Sequence, residues 1–89
     1  MKAEEVIEEV ADLCRQFQAK KVILYGSRAK GTARERSDID IAVSGVDKFE
    51  LLVEKVEELP TLYSVDMVNM DTCRNQLLLE DIRQYGREI

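Results

Sequence analysis

Eighty-nine residues make one small domain, here 45% apolar and 35% charged, the profile of a soluble globular protein with a heavily charged surface. Eighteen acidic against thirteen basic residues leave a net charge of −5, which argues against binding to long nucleic acids. With no histidine and only Cys14 and Cys73, zinc sites of cysteine and histidine and Ser-His-Asp or Cys-His catalysis drop out, and two unpaired thiols point to a reducing, cytoplasmic setting.

Residues 3 to 18 carry Val6, Ile7, Val10, Leu13, Cys14 and Phe17 at three-four spacing, with glutamates and Gln16 between them, which predicts an amphipathic helix. The first ten residues are too acidic and polar for a signal peptide, and no apolar run in the chain approaches a membrane span. Val22 to Tyr25 reads as a short buried strand ended by Gly26. Residues 27 to 31 predict a short helix opening at Ser27 and closing at Gly31, followed by a polar loop to Ser37.

Asp38 to Val43 is a second strand, sending Ile39, Ile41 and Val43 to one face and Asp38, Asp40 and Ala42 to the other. Ser44-Gly45 turns the chain, and Asp47 is placed to cap a helix with an apolar stripe of Phe49, Leu52, Val53, Val56 and Leu59, stopped by Pro60. Leu62 to Met70 predicts a third strand with Asp66 in its middle. Asp71 or Thr72 then caps a last helix carrying Leu78, Leu79, Ile82 and Tyr85, with Gly86 near its end. Without repeats or a linker, the order predicts one α/β domain over residues 1 to 89, built on three strands.

The chemistry concentrates in residues 26 to 43, GSRAKGTARERSDIDIAV. Residues 28 to 36 hold Arg28, Lys30, Arg34 and Arg36 against Glu35, a local +3 in an acidic chain, which suits a small anion better than a polymer. A Gly26-Ser27 turn entering a short helix offers backbone N–H groups and a hydroxyl to a phosphate, and Arg28 and Lys30 are near enough in sequence to neutralise it. Asp38 and Asp40 share a strand face roughly 6.5 Å apart along the chain, so they repel unless a cation lies between them. Oxygen-only ligands favour Mg²⁺ or Mn²⁺. Asp66 is the one carboxylate set inside another apolar strand, a costly position that a shared metal would explain, and three acids suffice for a two-metal site acting at phosphorus.

Plainer readings attach to each part: two solvated acids at a strand end, a simple turn, a solvated basic loop, and Asp66 paired to an arginine in the core. The joint arrangement favours the functional ones. Competing phosphate and metal motifs fail. Gly26 to Thr32 lacks the Walker lysine, the apolar strand follows Asp38 where a dehalogenase-type phosphatase has it before, and Ala42 breaks the calcium-loop pattern.

Gly26-Ser27, ten residues, then Asp38-x-Asp40 resembles the signature of the DNA polymerase β-type nucleotidyltransferase superfamily, and GSRAKGTARERSDIDIAV resembles in particular its minimal nucleotidyltransferases (MNT). The resemblance implies an α/β fold with a small mixed sheet and helices mainly on one side, and transfer of a nucleoside monophosphate from an NTP with loss of pyrophosphate. It implies that Gly26 and Ser27 hold the triphosphate, with Arg28 near the phosphates. Asp38 and Asp40 would bind two Mg²⁺ ions, and Asp66 would be the third acid, metal ligand or base toward the acceptor hydroxyl. Many such proteins are antitoxins of HEPN-domain toxins, so the implied reaction is transfer of AMP from ATP to a tyrosine hydroxyl of a HEPN partner. Transfer to a small molecule, and silencing by occlusion without catalysis, stay open. Self-association, acceptor identity and base preference are not specified by the sequence.

Overall fold

The computed structural model describes residues 1 to 89. Alternation along β2 (Ile39–Ser44) is the organising feature: Ile39, Ile41 and Val43 are fully buried on one face, while Asp40 shares the other with Ala42. β1 (Lys21–Tyr25) pairs antiparallel with β2, Val22 opposite Val43 and Tyr25 opposite Asp40. β3 (Val65–Asn69) runs parallel to β2, Asp66 beside Asp40. A parallel neighbour needs a crossover, and α3 (Phe49–Glu57) supplies it.

α1 (Ala3–Gln16) and α3 pack on the apolar face. Val6, Val10 and Cys14 of the first and Leu52 and Val56 of the second meet Val22, Leu24, Ile39, Ile41 and Val43 of the sheet. On the opposite face α4 (Gln76–Tyr85) seats Ile82 against Tyr25 and Ala42, with Ile23, Val68, Met70 and Leu78 around them. Two helices close one side and one helix half-covers the other.

The structure amends the predicted elements in local ways. The sheet has four strands in the order β3-β2-β1-β4, because Arg87 and Glu88 (β4) pair antiparallel with Leu24 and Ile23. Two charged residues carry no strand pattern. Gly86 makes the return possible, since a Cβ there would strike the Ile82 carbonyl and the Ile23 side chain.

α1 stops at Gln16, two residues early. Gln18 takes a left-handed conformation (φ 63°), and Gln18 N–H and Ala19 N–H bond the Arg15 and Cys14 carbonyls in a Schellman closure. Neither Asp47 nor Asp71 caps a helix. Asn75 Oδ1 accepts from Leu78 N–H (3.1 Å) to start α4, while Asp71 Oδ2 accepts from Gly45 N–H (2.8 Å) and ties down the turn after β2. No helix is long and apolar enough to cross a membrane.

Candidate active site

The end of β1 delivers the chain to Gly26, which has φ 72° and ψ −155°, a conformation that L side chains rarely adopt. Space enforces the same choice, because a Cβ on Gly26 would collide with the carboxylate of Asp40. The turn and the acid therefore touch. From Gly26 the chain enters α2 (Ser27–Lys30), whose Ala29 and Lys30 N–H groups bond the Gly26 carbonyl (both 3.1 Å). Gly31, with φ 76°, caps it and releases the loop.

Sheet register assembles the rest. Tyr25, Asp40 and Asp66 occupy one row across β1, β2 and β3, and Asp38 precedes β2 by one residue on the alternation of Asp40. Asp38 and Asp66 are exposed and Asp40 is half-buried. Burial raises the Asp40 carboxyl above its ordinary value of 3.8, and the negative charges of Asp66 and Asp38 raise it further. Burial likewise pushes the Tyr25 phenol up to about 12, with Asp40, Asp66, Cys73 and Asp81 adding to it.

None of Asp38, Asp40 and Asp66 enters a salt bridge; the three ion pairs are Arg15–Asp12, Lys30–Asp81 and Lys55–Glu58. The core pairing of Asp66 with an arginine is thereby excluded. So is the expected burial cost, because Asp66 faces solvent on an edge strand. No three acidic or thiol side chains converge tightly enough to hold an ion as they stand. The backbone aligns the acids, and Asp38 and Asp66 are exposed and enter no ion pair. The oxygen-only donor set, with mutual repulsion raising the Asp40 carboxyl, fits a hard divalent cation.

Arg28 sits in the place expected from its sequence position but its guanidinium turns to the loop. Nη2 donates to the carbonyls of Ser37 (2.8 Å) and Glu35 (3.2 Å), Nε donates to Ser37 (3.3 Å), and the group stacks on Tyr63 at 5.2 Å. It secures the segment that ends at Asp38. The sequence reading missed Tyr25 as the third member of the acid row, although its alternation with Ile23 and an antiparallel β1–β2 pair would have placed it there. It also missed the contact of Lys30 with Asp81. A surface hollow of about 700 Å³ is lined by Met1, Leu59, Pro60, Leu62 and Tyr63 among others and includes none of the candidate residues. Charge and register locate this site better than concavity does.

A small mixed sheet bearing a glycine-serine turn against a row of carboxylates is the nucleotidyltransferase fold. Residues 8–89 match the family model described as polymerase beta, nucleotidyltransferase, and the chain belongs to that family. It is 34% identical over 68 residues to a protein of Methanocaldococcus jannaschii named as a protein adenylyltransferase, across 73% of this chain and 68% of that one. Among solved structures it resembles a toxin–antitoxin crystallised with AMP-PNP, at TM-score 0.70 and 26% identity, covering 97% of this chain and 71% of the other. The complex of a tri-AMPylated Shewanella oneidensis HEPN toxin with its MNT antitoxin shares the fold, at TM-score 0.63 and 21% identity, covering 96% of this chain and 69% of the matched one.

Proposed function

We propose that this nucleotidyltransferase moves AMP from ATP to a hydroxyl, a tyrosine side chain, of a HEPN-type toxin and silences it as an antitoxin. The observation that carries the reading is the direct packing of the Gly26 turn on Asp40, with Asp66 in register beside it. A phosphate held at the turn would lie against the acids that handle the metal. The naming of a 34%-identical relative as a protein adenylyltransferase, and the AMP-PNP-bound toxin–antitoxin of like fold, support it.

In this reading Gly26 and Ser27 receive the triphosphate, Gly26 by allowing close approach of backbone and Ser27 by its hydroxyl and N–H. Asp38, Asp40 and Asp66 would hold Mg²⁺, two ions in the family pattern, which supplies neutralisation of the phosphate charge when bound. Asp66, exposed on the edge strand, is open to the approaching acceptor and takes up its proton or helps orient it. Arg28 acts on the nucleotide through the loop, by fixing the approach to Asp38.

The test is transfer of labelled AMP from α-phosphate-labelled ATP, with Mg²⁺, to any HEPN protein encoded beside this one. Label on a tyrosine of that protein, lost with Asp38→Ala plus Asp40→Ala, is the expected result. Silencing that survives the double substitution would mean occlusion, and label on a small molecule alone would move the acceptor out of the protein class.

A further inference from the structure

Asp81 joins Asp38, Asp40 and Asp66 in the acidic neighbourhood of the open sheet face, near enough to Tyr25 to act on its phenol alongside Asp40 and Asp66. Of these four carboxylates, Asp81 alone is ion-paired. Its partner is Lys30, Nζ to Oδ1 at 3.0 Å. The same ammonium lies 4.9 Å from the centroid of the Tyr85 ring. Asp81 and Tyr85 are one helical turn apart on α4, so a single helix holds this cation by a charge and by an aromatic face.

Lys30 is also the last residue of α2, three after Ser27, and thus on the same side of the helix as the residue that opens it. Within the rest of the basic island, Arg34 is exposed on the loop beyond Gly31 and outside α2. Arg28 is engaged by the Ser37 and Glu35 carbonyls, and Arg36 lines the hollow beside Leu59 and Leu62. The Lys30–Asp81 pair is about one-third exposed at both ends, the kind of pair that holds weakly and exchanges partners. A triphosphate bears several negative charges against the single one of Asp81.

We propose that Asp81 competes with the nucleotide for Lys30, so that α4 sets the affinity of the Gly26–Ser27 turn for a nucleoside triphosphate. The inference rests on the nucleotide-binding part of the function proposed above. Lys30 leaves Asp81 for the incoming phosphates, and the apparent affinity is the intrinsic one scaled by the fraction of molecules in which Lys30 is free. Asp81 is a positioning residue here: it acts through Lys30 and touches no reacting atom.

Calorimetric titration of the whole chain with AMP-PNP and Mg²⁺ decides it, using wild type, Asp81→Asn, Lys30→Met and the double variant. Asp81→Asn should tighten binding by about threefold to tenfold, and Lys30→Met should weaken it by about tenfold. In the Lys30→Met background Asp81→Asn should change nothing beyond about twofold, the mark of coupling through one cation. Should Asp81→Asn melt below the working temperature, Tyr85→Leu carries the same expectation at about twofold. No tightening in a folded Asp81→Asn overturns the competition. Equal tightening with and without Lys30 overturns it too, by reducing Asp81 to simple repulsion of the phosphates. If wild type binds no nucleotide at millimolar concentration, the functional reading fails first and takes this inference with it.

Discussion

The two faces of one sheet divide the labour. Ile39, Ile41 and Val43 point from β2 into an eleven-residue core closed by α1 and α3, without a buried polar or charged residue. The residues between them, Asp40 and Ala42, point the other way, where the fully buried set shrinks to Tyr25, Ala42 and Ile82. α4 covers that smaller set and leaves the acids outside it. Period-two alternation thus lets six residues of one strand serve both stability and chemistry, because a substitution on one face has no packing partner on the other. The division is not symmetric in cost. The closed face supplies most of the hydrophobic burial, and the open face carries the repulsion among Asp38, Asp40 and Asp66.

The comparison breaks most sharply at its extremes. If Asp38 and Asp40 hold the metal at the phosphates as proposed, Asp38→Ala combined with Asp40→Ala should reduce AMP transfer by at least about a thousandfold, the size expected when several kcal/mol of charge stabilisation is lost. Its melting temperature should not fall below that of wild type, and a variant that unfolds would show that the acids belong to the stability of the domain. Ile41→Ala makes the opposite cut. Truncating a fully buried side chain in a chain this small should cost about 2–5 kcal/mol and lower the melting temperature by more than about 10 °C. Well below that midpoint, transfer should stay within about twofold of wild type. Both are read from a thermal melt paired with a rate.

How much of this division was legible beforehand depends on whether the signal was local. The apolar positions of α1, β2 and α3 repeat within one element, so period alone placed them. The order of elements and the face shared by Asp38 and Asp40 followed. The partners of Asp40 were not local. Its neighbours Tyr25 and Asp66 are set by strand register across fifteen and twenty-six residues, which no single element encodes. β4 was invisible for a related reason, because Arg87 and Glu88 become a strand only by meeting the free edge of β1. Arg28 shows another non-local effect: its position suggests a phosphate, and the fold also gives its guanidinium two loop carbonyls, Glu35 and Ser37, that no local pattern announces. Burial of Asp66 was inferred from apolar neighbours in sequence, but an edge strand on the open face leaves it in water.

Gly26→Ala tests the contact that joins turn to acid. The added methyl meets the Asp40 carboxylate in a backbone conformation that already disfavours a side chain, so the cost should be about 1–2 kcal/mol of stability. Nucleotide affinity, read by titration with AMP-PNP and Mg²⁺, should fall by about tenfold or more if the turn cradles phosphate. A stability loss with unchanged affinity would keep Gly26 as a structural residue and remove it from the site.

The smallest expected effect lies in Asp40 itself. Its carboxyl titrates higher in the folded chain than its ordinary 3.8, so between those values the folded state holds more protons than the unfolded one. Stability must then decline as pH rises through that window, and above it the ionised Asp40 is a standing penalty caused by burial and by Asp66 and Asp38. Asp40→Asn removes the ionisation and keeps the shape. The variant should match wild type near pH 3.5 and exceed it by a few degrees in melting temperature at pH 7, with the gap opening as the carboxyl ionises. Mg²⁺ at millimolar concentration should narrow the gap at pH 7 by stabilising only the protein that retains the full acid set. A gap that is constant with pH would assign the difference to packing or hydrogen bonding at position 40, and one that ignores Mg²⁺ would separate the repulsion from any metal site.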